Sequence, residues 1–358
     1  MKRAATISAV ALLTLVLFSG CMPREVPVAV RIANALPAVD IVAAAETEPV
    51  GTAAADAADD PAIWRNAANP AASLIVGTDK KAGLHVYDLG GRSVHFVAAG
   101  LVNNVDLFDS DAGIIVIASD RNDPAASKLA LFRLDTAAQR LVPLATVPSG
   151  PGEAYGICID RAKSTARQIM LFAAIKDGSV RQIEVALDGT APAATIVRTM
   201  KLATQIEGCV VDPASRSLFV GEEDVGIWRF SADVDAPTAG TLVVPTDGKQ
   251  LVADVEGLAL VEHGGRTLLV ASSQGDNAYA IFAVPVDRAA SLPLLGRFRI
   301  AAGPLGATSE TDGIELLLGD FGPAFPEGLL VAQDGENEPR AQNFKLVGWR
   351  EVRAALGL

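Results

Sequence analysis

The apolar residues of this chain fall in short runs that are separated by Gly, Asp, Asn and Pro. Short apolar runs bounded by turn-forming residues are typical of strands rather than helices. Only one stretch, Trp349–Leu356, has apolar residues at the spacing that favours a helix. The pattern therefore predicts an all-β protein with one short helix near residue 350.

One unit recurs along the chain: a polar residue followed at once by a short apolar strand. Six copies begin 44 to 56 residues apart, which is the length of a four-stranded β-propeller blade. Their leading residues are Asp60, Asn104, Tyr155, Glu207, Glu256 and Asp312. The second apolar run of each copy ends in polar residues, among them Lys80, Lys81, Arg121, Lys176 and Glu223.

A third apolar run follows in every copy, but the last copy lacks a fourth. We predict that residues Val39–Ala45 supply it, because a ring of blades removes its exposed sheet edges only when it closes. The sequence thus predicts an all-β, six-bladed β-propeller over residues 38–358, closed by an N-terminal strand. Residues 22–37 are expected to form a tether.

The first 21 residues are expected to lie outside this fold. Lys2 and Arg3 precede an apolar run, and Ser19-Gly20-Cys21 is typical of the site at which a lipoprotein signal is cut. We expect Cys21 to carry a lipid that anchors an exported protein at the outer membrane or in the periplasm. An ordinary secretory signal is the alternative, and the membrane is a partner only through the anchor.

The charge balance limits the partners further. A formal net charge of −12 argues against a nucleic-acid partner, which needs a basic face. An acidic protein can bind an anionic substrate when cations lie between the two. We expect a small anionic substrate of this kind, and we expect the protein to be a monomer.

Cys158 and Cys209 lie in apolar runs one copy apart. We expect buried free thiols, and a disulfide is the alternative.

In a propeller, the residues that lead the innermost strands meet at one end of the central channel. Carboxylates crowded together raise one another's pKa, and bound divalent cations relieve the repulsion. Ligand sets made of oxygen favour calcium or magnesium over zinc, and a rim of Lys and Arg suits phosphate. We therefore expect metal-assisted hydrolysis of a phosphate ester, in which the metals polarise the phosphoryl oxygens and acidify the attacking water.

A simpler interpretation exists for each position alone, since Asp and Gly at strand ends are ordinary turn residues. Six copies that carry a polar residue at a matched position favour a shared site. For Lys81, Asp79 and Asp120, solvated rim residues and ligands remain alternatives. The Arg-His-Gly and Cys-x5-Arg motifs of other phosphatases are absent from the sequence.

Taken together, the polar stretches resemble those of the β-propeller phytase family, calcium-dependent bacterial enzymes that hydrolyse inositol hexakisphosphate (phytate). The matching stretches extend from Glu46 to Trp349 and include Asp59-Asp60-Pro61-Ala62-Ile63-Trp64, Asp79-Lys80-Lys81, Tyr155-Gly156, Glu207-Gly208, Glu222-Glu223-Asp224, Asp254-Val255-Glu256-Gly257, Thr311-Asp312-Gly313 and Gln333-Asp334-Gly335-Glu336-Asn337.

This resemblance implies a role for each matching residue and a calcium–phytate substrate. The implied ligands of several calcium ions at the channel mouth are Asp59, Asp60, Glu207, Glu256 and Asp312. Glu223 would bind the same ions or activate water. The implied phosphate contacts, spread over two neighbouring phosphate sites, are Lys80, Arg121, Tyr155 and Lys176. A separate structural calcium region, tying the first strand to the last blade, would comprise Glu46, Asp334, Glu336 and Asn337.

Two departures from the family pattern concern that separate region. The loop Gly303–Ser309 has no acidic residue, where the family usually has one, and Glu310 stands where Asp is common. We expect calcium to stabilise this protein less than a typical member. Two other functions remain open: a non-catalytic calcium-binding lipoprotein that binds an anion, and a metal-dependent hydrolase of another ester.

Overall fold

The structure, a computed structural model, describes residues 26–53, 56–288 and 290–358. The predicted signal and Cys21 lie outside the described residues. The described strands form six sheets that are arranged as the blades of a propeller, so the predicted fold class is confirmed. Among the described residues, no helix is long and apolar enough to cross a membrane.

Each blade runs outward from the central channel, with four antiparallel strands taken in chain order. The strands of the first three blades are β3 (Ala58–Trp64), β4 (Leu74–Asp79), β5 (Gly83–Asp88) and β6 (Ser93–Ala98); β7 (Val102–Ser110), β8 (Gly113–Asp120), β9 (Ala126–Asp135) and β10 (Arg140–Pro151); and β11 (Ala154–Ile159), β12 (Gln168–Ile175), β13 (Ser179–Ala186) and β14 (Ala193–Lys201).

The remaining blades follow the same plan. The N-terminal strand β1 (Val39–Ile41) is a fifth strand at the outer edge of the fifth blade, and β2 (Ala45–Glu46) is the outermost strand of the sixth blade. Their strands are β15 (Ile206–Asp212), β16 (Ser217–Glu222), β17 (Gly226–Ser231) and β18 (Thr241–Pro245); β19 (Val255–His263), β20 (Arg266–Ser273), β21 (Ala278–Ala283), β22 (Leu294–Ile300) and β1; and β23 (Ile314–Leu318), β24 (Gly328–Asp334), β25 (Asn343–Gly348) and β2.

The N-terminal segment closes the ring, as predicted, but with fewer residues. Strand β2 pairs with β25 and supplies the fourth strand of the sixth blade, whereas β1 pairs in parallel with β22 of the fifth blade. The segment Val39–Ala45 is therefore shared between two blades. Alternation of side chains cannot reveal this, because both pieces are too short to show a period.

The described helices are α1 (Val28–Asn34) and α2 (Trp349–Leu356), together with short 3-10 turns at Pro70–Ala72 and Gln274–Asp276. The pattern predicted α2 but not α1, which lies in the expected tether. Helix α1 has no side-chain cap and no buried residue, so it leaves little trace in the sequence. Just beyond it, Leu36 binds the Lys249 carbonyl and the Arg297 guanidinium through its backbone, which docks this segment on the propeller.

The hydrophobic core is divided among the six interfaces between neighbouring blades. One cluster joins the first and second blades, and the last joins the sixth blade back to the first through Phe344, Leu346 and Ile75. Because a single four-stranded sheet cannot cover both of its faces, each blade depends on its two neighbours for burial. Closure of the ring is therefore a condition for a complete core.

A disulfide joins the inner strands of the third and fourth blades. Cys158 on β11 and Cys209 on β15 are buried and bonded, with a Cα–Cα distance of 5.7 Å. The expectation of free thiols is wrong, because neighbouring inner strands approach closely at the channel. The bond cross-links residues that are 51 positions apart in the sequence.

We predict that replacing both cysteines, as C158A/C209A, lowers the free energy of unfolding by up to about 4 kcal/mol, because the cross-link restricts the unfolded chain. Thermal unfolding with and without a thiol reductant measures this. The parent protein should lose thermal stability on reduction, and the double variant should not respond. A parent protein that unfolds at the same temperature in both conditions would rule the cross-link out.

Candidate active site at the channel mouth

The carboxylates at the channel mouth lie at or beside the first residues of the innermost strands. Asp59 lies on β3, Glu207 on β15 and Glu256 on β19, while Asp312 precedes β23. Glu223 comes from the next layer outward, directly after β16. The repeat thus places one strand end after another around the same opening, which is why residues more than 250 positions apart meet there.

Glycine follows three of these acids because the inner strands nearly touch. A Cβ on Gly208 would lie 2.0 Å from the Glu256 carbonyl oxygen, and one on Gly257 would lie 2.7 Å from that of Asp312. A Cβ on Gly313 would likewise lie 2.6 Å from the Asp59 carbonyl oxygen. Any side chain at these positions would push neighbouring blades apart, so the acid–glycine pairs set how closely the carboxylates converge.

Three glutamates form the tightest group. Glu207, Glu223 and Glu256 each offer a carboxylate oxygen within 4.8 Å of the others. Several buried oxygens here accept no hydrogen bond: both of Asp59, one of Glu223 and one of Glu256. Buried carboxylate oxygens are costly without a partner, so this set fits a bound cation with oxygen ligands.

Lys80 is the cation already present in the cluster. Its Nζ lies 2.8 Å from Asp312 Oδ2 and 3.6 Å from Asp59 Oδ1, and it also contacts Asp56. Burial alone would lower the pKa of Lys80, but the charges of Asp59, Asp312 and Glu207 raise it instead. The ammonium group of Lys80 therefore stays charged, although it balances only part of the negative charge of the carboxylates.

The pKa values of the glutamates and of Asp312 are raised, because the positive charge of Lys80 does not balance the cluster. Burial, reinforced by Asp59, raises the pKa of Glu207 well above its usual value, and burial with Glu223 does the same for Glu256. Burial also raises the pKa values of Glu223 and Asp312 to about 7. At neutral pH the metal-free site therefore retains protons that a bound cation would displace.

Arg121, Tyr155 and Lys176 form a cationic edge of the mouth that is suited to bind an anion. The Lys176 Nζ lies 5.0 Å and the Arg121 Cζ 5.6 Å from the centre of the Tyr155 ring. Arg121 is also paired with Glu153 at 3.6 Å. Burial and the nearby carboxylates raise the pKa of Tyr155, so its hydroxyl remains a hydrogen-bond donor. The structure brings these three predicted phosphate contacts together beside the glutamates.

Asp60 takes a different position from the other predicted ligands. Its Oδ2 accepts a hydrogen bond from the Val105 amide at 3.0 Å, which fastens the first blade to the second. It lines a cavity of about 530 Å³ further along the channel, together with Asp106 and Arg161, which are paired at 2.7 Å. The structure therefore shows a cross-blade contact for Asp60; its predicted role as a metal ligand stays a prediction.

The rim residues that the sequence left undecided hold turns. Asp79 is buried and accepts hydrogen bonds from the Thr52 and Lys81 amides, while Asp120 accepts one from the Asn122 amide. Lys81 pairs with Asp56 at 3.0 Å near the surface. These contacts explain the three residues without a ligand role.

Sequence reasoning missed several polar residues that orient the carboxylates. Asn103 donates to Glu207 Oε1 at 2.8 Å, and Gln274 donates to Asp312 Oδ1 at 2.7 Å. Asp254 lies close enough to Glu223 and Glu256 for its charge to raise their pKa values. Their positions in the sequence could have indicated them, because each lies next to a strand end at which the repeat had already placed a polar residue.

The residues expected to bind a separate structural calcium surround a lysine instead. The Lys345 Nζ lies 2.5 Å from Glu46 Oε2, 3.2 Å from Asp334 Oδ2 and 3.4 Å from Asn337 Oδ1. Glu336 is exposed and contributes its backbone amide to Asp334. Since the Glu46 and Asp334 oxygens already have donors, this set does not fit a divalent cation as it stands.

Fold and site together define a propeller protein with an acidic, cation-rimmed channel mouth. The family model described as "Phytase" matches residues 4–358. The chain is also 36% identical over 335 residues to the 3-phytase of Bacillus subtilis (strain 168), covering 88% of this chain and 85% of that protein. The chain belongs to the phytase family. The resemblance noted in the sequence and the prediction of a phytase enzyme are thereby confirmed.

We predict that the metal-free protein loses stability as pH rises from about 4 to about 8. The folded-state pKa values of Glu207, Glu223, Glu256 and Asp312 are raised, so the folded protein holds more protons than the unfolded chain in this window. Thermal unfolding in chelator across this range measures the effect. Stability that rises steadily over the same range would contradict the uncompensated cluster.

Proposed function

We propose that the protein hydrolyses phosphate monoesters of inositol hexakisphosphate and that calcium is required. The observation that carries the proposal is the group Glu207, Glu223 and Glu256, with unpartnered buried oxygens, facing the cationic edge around Tyr155. Membership of the phytase family and a relative named 3-phytase support the same substrate. A polyanionic substrate needs both bound cations at the glutamates and the cationic edge, since positive charge must separate its phosphates from the carboxylates.

Calcium fits the donor set because every candidate ligand is a carboxylate oxygen. The residues that would bind it are Asp59, Glu207, Glu223, Glu256 and Asp312. When bound, calcium would polarise the phosphoryl oxygens and lower the pKa of water. Its charge would also release the protons that the raised pKa values hold on these side chains.

Glu223 is the residue best suited to move a proton. Burial raises its pKa in the metal-free protein, and bound calcium would release the proton held there. One of its oxygens has no hydrogen-bond partner, so the carboxylate can accept a proton from water. The water oxygen forms a bond to phosphorus as the ester P–O bond breaks. Glu223 takes the proton of the attacking water, and solvent protonates the leaving inositol oxygen.

The cationic edge would bind and orient the phosphate. Arg121 and Lys176 flank Tyr155 and can each contact non-bridging oxygens, where negative charge is stabilised as the ester breaks. The Tyr155 hydroxyl donates a further hydrogen bond. Lys80, on the opposite side, holds Asp312 and Asp59 in place.

We also propose that the protein is exported and anchored through a lipid on Cys21. The sequence around Ser19-Gly20-Cys21 supports the cleavage site. The Cys158–Cys209 bond supports an oxidising compartment, because structural disulfides are rare in the cytosol. The tether would then begin close to the membrane.

We predict that phosphate release from phytate needs calcium and is lost in excess chelator. Replacing Glu223 by Gln should lower kcat by about 100-fold or more, because the proton acceptor is lost. The matched control is E262Q, since Glu262 is an exposed glutamate on β19, away from the mouth. Both variants should unfold like the parent protein.

Three outcomes would contradict this proposal. Full activity of E223Q would remove that residue from the reaction. Binding of phytate without phosphate release by folded, calcium-loaded protein would favour a non-catalytic anion-binding protein. Release from phosphodiesters or from other esters, but not from phytate, would favour a hydrolase of another substrate.

We predict that the mature protein begins at a lipidated Cys21. Mass spectrometry of the N-terminal peptide, after expression with its signal in a Gram-negative host, measures this. The C21S variant should lack the lipid and leave the membrane fraction. An unmodified N-terminus in the parent protein would show an ordinary secretory signal instead.

A further inference from the structure

We propose that the Lys345 ammonium takes the place of a structural calcium ion and fastens the closing strand to the last blade. The closing clamp consists of Glu46, Asp334, Asn337, Arg340 and Lys345. This inference concerns ring closure and does not rest on the proposed phosphatase activity.

Strand register places the two principal partners face to face. Glu46 on β2 is directly opposite Lys345 on β25, and β2 contributes only two residues to this pairing. Flanking backbone bonds from Ala44 to Leu346 and from Thr47 to Phe344 extend the contact. The Thr47 hydroxyl accepts a hydrogen bond from the Phe344 amide, and the Asn343 side chain donates to Glu46. A cross-strand pair of opposite charge adds stability to a strand that has few backbone bonds.

Lys345 is fully buried, and three oxygens surround its ammonium group. An ammonium has three N–H donors, and it lies 2.5 Å from Glu46, 3.2 Å from Asp334 and 3.4 Å from Asn337. Arg340 adds a second cation, 2.8 Å from Glu46 Oε1. Two carboxylates thus face two cations, so the formal charge of the clamp is balanced.

The surrounding loop offers donors where a calcium site needs oxygens. The Ser309 amide donates to Asp334 Oδ1 at 3.3 Å, and the hydroxyl of buried Thr308 bonds to the Tyr279 hydroxyl. The loop Gly303–Ser309 contains no carboxylate. Calcium takes six to eight oxygen ligands, and the oxygens of Glu46 and Asp334 are already engaged by N–H groups.

The contrast with the channel mouth supports the assignment. No side-chain oxygen of Glu46, Asp334 or Asn337 is among the buried atoms that lack a hydrogen-bond partner in the described residues, whereas oxygens of Asp59, Glu223 and Glu256 are. Both clusters are acidic and both were expected to bind calcium. In the part of the chain that the structure describes, the carboxylates at the mouth are compensated only in part, by Lys80, whereas those of the clamp all have donors.

The decisive test compares calcium binding by the parent protein with that of E46Q and D334N. Tightly bound calcium per chain is counted after removal of free metal, and thermal unfolding is followed in chelator and in excess calcium. We expect both variants to keep the parent's calcium count and its calcium-induced rise in Tm. One calcium ion fewer, or a smaller rise, in either variant would show that calcium binds at the clamp and would overturn the proposal.

A second arm tests the lysine itself. In chelator, K345Q should unfold roughly 5 °C below the parent, because two buried carboxylates lose their cation. The matched control is K249Q, at an exposed lysine, which should unfold like the parent. Equal Tm values of K345Q and the parent in chelator would also overturn the proposal. Neither arm uses activity, so failure of the proposed reaction would leave both results interpretable.

Discussion

The rest of the structure depends on the crowding of carboxylates at the channel mouth. Adjacent inner strands approach so closely that only glycine fits after Glu207, Glu256 and Asp312, and this approach forces the acids together. Several of their oxygens are then buried without a hydrogen-bond donor, and Lys80 alone cannot balance the negative charge of the cluster. Repulsion among these buried carboxylates raises their pKa values in the metal-free protein, and the same repulsion favours the binding of divalent cations.

Two acidic clusters in one chain show how the location of a cation determines its role. In the closing clamp, Lys345 and Arg340 balance the charges of Glu46 and Asp334, and we propose that ring closure therefore does not need calcium. At the mouth, we propose that bound calcium supplies the missing positive charge. A built-in ammonium suits a structural contact, whereas an exchangeable metal with free coordination positions suits chemistry on phosphate.

Much of the fold could be predicted because each blade repeats the same spacing of polar and apolar residues. The same spacing located Glu207, Glu256 and Asp312, whose positions at strand ends follow from the repeat. Contacts between repeats could not be predicted this way. The Cys158–Cys209 bond and the hydrogen bond from Asn103 to Glu207 depend on how closely strands of different blades approach. The contact between Lys345 and Glu46 depends on which strand the short N-terminal segment joins at the edge of the sixth blade. Helix α1 was missed because it has neither a cap nor an apolar face in the core.

The most direct test of the central claim is a calcium titration of metal-free protein near pH 7 in weak buffer, followed by the protons that are released. We expect tight binding that releases protons, because calcium displaces those held by the glutamates of the mouth, and we expect the E207Q/E256Q variant to lose both. Binding without proton release, or equal binding and release by the folded double variant, would show that the uncompensated carboxylates are not the calcium site.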